Sequence, residues 1–571
     1  MKDKIWQYKN KNLTRERIDQ ISKRQGIPRV ITTILLNRHI EESEFVPFLR
    51  KSMKDIINPF DMLDMDKAAD RIKEAIEKHE KIVIYGDYDV DGITSTTLLY
   101  EFLSEQGADV SYYIPDRKDE GYGINIMAVN RLLKQGAKLL ITVDCGITAI
   151  GEVEFASLSG MDVIITDHHT CKERIPTAAK AIVNPKREDD DYPFDALAGV
   201  GVAFKLVLAL AIRLGLNTNE CFNRYIDLAA IGTIADVVDL RGENRIIVDK
   251  GLKAVENTKR AGIRAIMEIS GADKKPLSAG TVAFAIAPRL NAAGRLGTAT
   301  TAVELLLSKD IDEARRIALS LDEENKQRQL TEQEIFDQAL EMVLKDPNFD
   351  KKKVIVLAHE DWHQGVIGIV ASRIGDKFYK PCILISHSNG FGKGSGRSID
   401  GFNLFDALNH CKEHLTEFGG HSVAAGLNLN IADLEKFEKA INKYADEVLS
   451  QKDMIPKVKI DCELSTKSVT LENAKILSKL EPFGVGNEKP VFSMSNVAIT
   501  HISAVGTDGR HLRLAVTKNG MSFNAIGFYF GEFANKFNIN DKVNIAFHMD
   551  INNFRDNEAL QLHIKDIVPV L

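Results

Sequence analysis

The chain has 571 residues, too many for one hydrophobic core, and this length implies roughly three or four domains. Its composition, 44% hydrophobic and 27% charged, is that of an ordinary soluble globular protein. The net charge of −7 excludes an indiscriminate polyanion binder, although nucleic acid needs only a local basic groove.

The opening segment, MKDKIWQYKNKNL, lacks the apolar run of a signal peptide. The most apolar stretch, Val202–Leu214, is interrupted by Lys205 and Arg213 and predicts a buried helix, not a membrane span. Cys145, Cys171, Cys221, Cys382, Cys411 and Cys462 lie far apart with no C-x-x-C pair. That spacing predicts reduced thiols in the cytoplasm, with neither a disulfide framework nor a zinc site.

Residues 1–45 read as a helical appendage carrying Arg15, Arg17, Lys23 and Arg24. From about 46 to 195, helices and apolar strands alternate: Ala68–Lys78, Lys81–Gly86, Thr94–Gln106, Asp109–Ile114, Ile126–Gln135, Lys138–Asp144, Asp162–Asp167 and Lys180–Asn184. This alternation predicts a doubly wound parallel sheet. Residues 199–345 read as mainly helical and end in a charged segment, Ile311–Leu344, whose polar face and length predict a connecting helix. With that helix, the first domain is expected to cover 46–345. After Lys351-Lys352-Lys353, the apolar strand Val354–Ala358 opens a second, smaller α/β domain over 350–450, and Asp453–Pro456 reads as a linker. Over 457–571, short alternating strands predicted at His511–Val516, Phe523–Phe528, Val543–Met549 and Leu560–Ile564 suit a small β-barrel.

The chemistry gathers at strand ends. In KIVIYGDYDVDGITSTT (81–97), Gly86 ends an apolar strand, Asp87, Asp89 and Asp91 follow at alternate positions, and a helix begins beyond Gly92. Three carboxylates so close repel one another unless cations neutralise them. A calcium loop of the helix–loop–helix type would need a glutamate at its twelfth position, where this chain has Leu98, and would follow a helix. Two further strands end at Asp144 and at Asp167, the latter followed by His168 and His169, and a fourth acidic segment carries Asp236. Ligands of open α/β sheets bind at the carboxyl ends of strands, so these residues are expected to converge.

Carboxylates with one or two imidazoles and no thiolate suit manganese or magnesium better than zinc. There are enough of them for two ions sharing a bridging aspartate, the arrangement that drives in-line attack on a phosphodiester. A phosphatase of the haloacid dehalogenase type also places D-x-D after a strand, but has no use for an Asp-His-His block.

GDYDVDG (86–92), VDCG (143–146), DHH (167–169) and GTIADVVDL (232–240) resemble the four motifs of the DHH phosphoesterase superfamily. YIPDRKDEGYGIN (113–125), APRLNAAGRLG (287–297), GSGRS (394–398) and FGGHSVAAG (418–426) extend the resemblance to its RecJ family of bacterial single-stranded-DNA exonucleases. The resemblance implies a DHH catalytic domain, a DHHA1 domain and a C-terminal oligonucleotide/oligosaccharide-binding (OB) barrel. It implies Asp87, Asp89, Asp144, His168 and Asp236 as ligands of Mn2+ or Mg2+, Asp91 and Asp167 behind them, and His169 at the scissile phosphate or a metal. It further implies 5′-to-3′ hydrolysis of single-stranded DNA in repair and recombination by a monomer. A single-strand-binding protein and a helicase would be its protein partners.

In the second α/β domain, GKGSGRS (392–398) reads as a glycine-rich anion-holding loop and Gly419–Ser422 as a tight turn carrying His421. With the resemblance, Ser395, Arg397 and His421 are expected at the substrate's terminal nucleotide, and Arg117, Arg289 and Arg295 along the same groove. Tyr122, Phe391 and Phe402 are candidates for base stacking, and Arg510, His511, Arg513 and Lys518 for gripping a strand on the barrel. The rivals are a DHH phosphodiesterase of short oligonucleotides or cyclic dinucleotides, disfavoured by the barrel, and a catalytically dead DNA-binding scaffold, disfavoured by the intact acidic set.

Overall fold

The chain begins with a strand, β1 (Ile5–Tyr8), ahead of two helices, Arg15–Gln25 and Arg29–Asn37, so the leading segment is not purely helical as expected. The fold is taken from a computed structural model, which describes residues 4–9, 12–117, 120–121, 123–554 and 557–570.

β2 (Ile82–Gly86), β3 (Val110–Tyr113), β4 (Leu139–Val143), β5 (Asp162–Thr166) and β6 (Ala181–Val183) form a parallel sheet in the order β3-β2-β4-β5-β6. Every residue of β2 and β4 is buried, as a strand covered on both faces requires. Strand order reverses between β2 and β4, because the chain steps outward to β3 and then crosses back. Gly86 pairs with Val143, and Val143 with Thr166. Asp87, Asp144 and Asp167 therefore leave the sheet in register at its carboxyl edge, beside the reversal, where such sheets bind ligands.

The helix after β2 runs Val90–Glu105, one turn earlier than predicted. Asp89 explains the difference. Its Oδ1 accepts the backbone N–H groups of Asp91 (2.9 Å) and Gly92 (3.1 Å) and caps the first turn. This helix packs against Gly199–Arg213 and Thr218–Ala235, which share one core with the sheet. The connecting helix Ile311–Lys345 has 35 residues, or about 52 Å at 1.5 Å per residue.

β7 (Ile355–His359), β8 (Cys382–Ser388), β9 (Phe391–Arg397), β10 (Glu417–Gly420) and β11 (Ala424–Asn430) form a mixed sheet in the order β10-β11-β9-β8-β7. The predicted anion-holding loop GKGSGRS is mostly β9, an interior strand. Its backbone groups are committed to β8 and β11, so only its side chains remain for a ligand. Its glycines serve packing, since a Cβ at Gly392 would lie 2.8 Å from Ile385 and one at Gly396 2.8 Å from Leu404.

β12 (Lys457–Ile460) pairs with β1, and β13 (Cys462–Glu463) leads into β14 (Phe492–Val505), β15 (His511–Lys518), β16 (Met521–Gly527), β17 (Lys542–Phe554) and β18 (Asn557–Pro569). β14-β15-β16-β18-β17 closes through a β17–β14 pairing into a five-stranded, OB-like barrel. β14 escaped prediction because its register shifts twice, between Met494 and Val497 and between Ile499 and His501, which breaks its two-residue alternation. Ile31, Ile34, Leu35 and Phe45 share a core with Phe492, Phe547 and the other inward barrel residues. Among the described residues, no helix is long and apolar enough to cross a membrane.

Candidate metal centre

The backbone brings the carboxylates together through close approaches. A Cβ on Gly92 would lie 2.4 Å from the Asp87 carbonyl oxygen, and one on Gly199 2.6 Å from the Asp144 carboxylate. Asp144 adopts a left-handed backbone (φ 61°), which aspartate tolerates better than most residues. Asp91 points inward from the first turn of its helix. Its two oxygens accept the N–H groups of Gly199 (2.6 Å) and Val200 (2.7 Å), at the positive end of another helix.

Three groups of side chains are spaced to share an ion, with ligand atoms within 4.8 Å of one another: Asp87, Asp89 and Asp144; Asp144, His168 and His169; Asp91, His168 and Asp236. Asp144 belongs to two of them and His168 to two. His168 Nε2 lies 3.1 Å from Asp144 and 3.6 Å from Asp236. Among the described residues, the buried Oδ1 of Asp87 and Oδ2 of Asp236 accept no hydrogen bond. Buried carboxylate oxygens are costly without a partner, and divalent cations are the partner this donor set fits.

The electrostatics agree. Burial and then Asp89 push the Asp87 carboxyl well above the usual range. Burial, reinforced by neighbouring aspartates, raises Asp144 well above that range, Asp91 to about 7 and Asp236 to about 9. Without cations, burial favours the protonated forms of Asp87, Asp144 and Asp236. Burial and His169 depress His168 to about 3, leaving a neutral imidazole suited to ligation. Asp167 faces the other way. Burial opposes its charge, but His169 and backbone N–H groups outweigh burial and hold it below the usual range.

A cationic group lies beside the acidic one. Burial, then Arg117, Arg328 and Arg397, pull Arg295 down to about 10. Arg295 donates to the Gly365 carbonyl (2.8 Å), just ahead of the helix Ile367–Phe378. A Cβ on Gly368, in that helix's first turn, would lie 2.8 Å from Ser395 Oγ and 3.0 Å from an Arg397 nitrogen. Ser395, Arg397 and a helix N-terminus thus adjoin one another. Arg117 lies over the Tyr88 ring at 5.1 Å. Arg289 is committed to Asp322 of the connecting helix (2.8 Å) and to the Ala285 carbonyl. His421 is exposed in the turn between β10 and β11. Phe391 is exposed, whereas Phe402 is buried in the core of the second sheet and cannot stack a base. Tyr122 lies outside the described residues.

Three family models match in sequence: the DHH family N-terminal domain over 81–233, the DHHA1 domain over 351–447 and the RecJ OB domain over 460–566. The single-stranded-DNA-specific exonuclease RecJ of Bacillus subtilis (strain 168) is 40% identical over 554 residues, covering 96% of this chain and 69% of the relative. The chain belongs to the RecJ family. The crystal structure of RecJ from Thermus thermophilus in complex with Mn2+ matches with a TM-score of 0.85 at 30% identity, covering 99% of this chain and 80% of that one. The same protein with Mg2+ matches with a TM-score of 0.79 at 29% identity, covering 99% and 78%.

In this RecJ-family chain the structure adds Arg328, Lys186 and Asn291 to the surroundings of the site. Arg328 comes from the middle of the connecting helix, where its charge looks like part of a solvated face, yet it is buried against Asn325 and Glu332. Lys186 acts electrostatically on His168 and Asp236, and Asn291 accepts the N–H of Val90 (3.2 Å). Lys186 lies in none of the quoted motifs, and Asn291, although within APRLNAAGRLG, carries no charge that marks it.

Proposed function

We propose that this protein is a metal-dependent exonuclease that hydrolyses single-stranded DNA from its 5′ end, using two Mn2+ or Mg2+ ions, in DNA repair and recombination. The observation that carries the reading is the juxtaposition of a buried, proton-holding carboxylate cluster with the Arg117, Arg295, Arg328 and Arg397 group. A phosphodiester next to a terminal phosphate presents the anionic charge that such a pair of neighbours would divide. Family membership and the metal complexes of the relatives agree with it.

In this reading Asp87, Asp89, Asp144, His168 and Asp236 hold the metal. When bound, two divalent ions acidify an attacking water and neutralise charge developing on the phosphoryl oxygens. Asp91, fixed by Gly199 and Val200, holds the Asp89–Gly92 turn in place. Asp167 fixes the ring of His169, leaving Nε2 to face the scissile phosphate. Ser395, Arg397 and Arg295 receive the terminal phosphate, with Arg117 flanking it, His421 at the rim and Arg289 bracing the helix that carries Arg295. On the barrel, Arg513 is exposed and His511 packs edge-on to Phe528 and Tyr529, a surface suited to an unpaired strand.

The test compares end-labelled single-stranded DNA, duplex DNA and dinucleotides, with Mn2+ and with EDTA. Mononucleotides released from the 5′ end of single strands, only with metal, are expected. Cleavage of the dinucleotide alone would replace this reading with a short-oligonucleotide phosphodiesterase.

A further inference from the structure

Asp236 directly follows the helix Thr218–Ala235 and begins a strap, Asp236–Arg241, that leads away from the acidic cluster. The next residue, Val237, adopts a left-handed backbone (φ 60°) and is 63% exposed. A β-branched residue rarely takes that conformation, and it persists only where the surroundings impose it. The Val237 N–H donates to the Ile234 carbonyl (3.3 Å) where the helix ends, and beyond that the strap is held at its two ends. At one end Asp236 faces His168.

At the other end the strap meets the C-terminal module. The Leu240 N–H donates to the Val485 carbonyl (2.8 Å). A Cβ on Gly484 would lie 2.5 Å from Leu240, and one on Gly486 (φ 70°) 1.9 Å from the Asp239 carboxylate. The Pro482–Asn487 turn is closed by its own hydrogen bonds. Gly484 and Asn487 exchange backbone hydrogen bonds, and the Asn487 amide donates to the carbonyls of Leu480 (2.8 Å) and Pro482 (2.7 Å) while its oxygen accepts Arg38. Arg245, from the helix that follows the strap, is buried with its guanidinium aimed at the carbonyls of Phe48 (3.0 Å), Lys479 (3.4 Å) and Pro482 (3.4 Å).

We infer that the Pro482–Asn487 turn is a positioning element for Asp236, so that docking of the C-terminal module and metal occupancy are coupled. This rests on the metal site proposed above. The turn presses the distal half of the strap, the strained Val237 transmits that position, and the Asp236 carboxylate is presented to the site. By linkage the coupling runs both ways: metal at Asp236 tightens the turn.

Two measurements on the full chain test it. Calorimetric titration with Mn2+ should show Gly486→Ala binding at least about fivefold more weakly than wild type, the low end of typical coupling between sites. Gly520→Ala is the control. It strains a glycine of the same module (φ 76°) with open space around it, and should leave Mn2+ affinity unchanged. In wild type, Mn2+ should slow hydrogen exchange across 479–490 and at Leu240, a readout independent of any variant's folding. Wild-type Mn2+ affinity in folded Gly486→Ala, or unchanged exchange at 479–490, would overturn the coupling. If Asp89→Ala and Asp236→Ala also bind Mn2+ as wild type does, the metal site itself is wrong.

Discussion

Asp167 Oδ1 lies 2.8 Å from Nδ1 of His169 and also accepts the backbone N–H groups of His168 (2.7 Å) and His169 (3.1 Å). One oxygen thus fixes the peptide and the ring of the same residue. Burial opposes charge on His169, but the Asp167 hydrogen bond outweighs it and raises the imidazole above its ordinary value. A raised histidine stabilises the fold below its unfolded pKa and loses that contribution as pH rises through the folded one. Asp167→Asn should therefore lower the His169 pKa in histidine NMR titrations of the metal-free protein. It should also cost most stability between roughly pH 4 and 6.5. An unchanged His169 titration would contradict the pairing.

The acidic cluster has the opposite consequence for the metal-free protein. Asp87, Asp91, Asp144 and Asp236 titrate higher folded than unfolded, Asp91 at about 7 and Asp236 at about 9. The folded state then binds more protons, so stability falls as pH rises from about 4 through those values, by at most about 1.4 kcal/mol per pH unit for each carboxylate. Mn2+ replaces those protons, so the rise in Tm on adding Mn2+ should be larger at pH 8.5 than at pH 6. A pH-independent rise would show that the ion binds elsewhere.

Asp89 caps its helix through backbone bonds and faces Asp87 and Asp144. Asp89→Ala should lower hydrolysis by more than about a hundredfold, beyond the roughly 10- to 100-fold that losing an outer supporting residue costs. Single-strand binding, read by fluorescence anisotropy, should stay near wild type. Near-normal turnover with manganese would remove Asp89 from the site.

Gly199→Ala sets two effects against each other. Alanine gains about 0.5–1 kcal/mol over glycine inside a helix, less at Gly199, the first residue of its helix, and here its Cβ would lie 2.6 Å from the Asp144 carboxylate. The clash should dominate and weaken Mn2+ binding by about tenfold or more in a protein that still folds. Wild-type affinity would mean that Asp144 can move aside without cost.

Arg397→Ala removes a cation from the proposed phosphate grip and should weaken binding of a 5′-phosphorylated strand by about 10- to 100-fold, the range for a hydrogen bond to a charged group. A strand ending in a 5′-hydroxyl should be affected much less. Equal losses for both ends would place Arg397 elsewhere along the strand.

The parallel sheet and its acidic edge were legible because β2, β4 and β5 are continuous apolar runs that stop at an aspartate, and strand ends align in such a sheet. What could not be read was set by pairing at a distance. GKGSGRS has a loop's composition, and it becomes a strand because Ile385 and Leu404 require neighbours without side chains. Arg328 looks solvated on its helix, yet it is buried against Asn325 and Glu332. Phe402 carries no sign in its own neighbourhood of the core that buries it.

The Trp6 indole donates to Asp566 (2.7 Å), and the helices over 15–37 share the barrel's core. The apolar residues of these helices are therefore made well before the barrel strands that cover them. At about 5–20 residues per second, Ile31, Ile34 and Leu35 leave the ribosome on the order of tens of seconds before β14 exists. Until then their greasy face has no native cover and invites chaperones. A fragment meant to isolate the nuclease half should discard this leading segment together with the barrel, because keeping it alone would leave a sticky, half-made core.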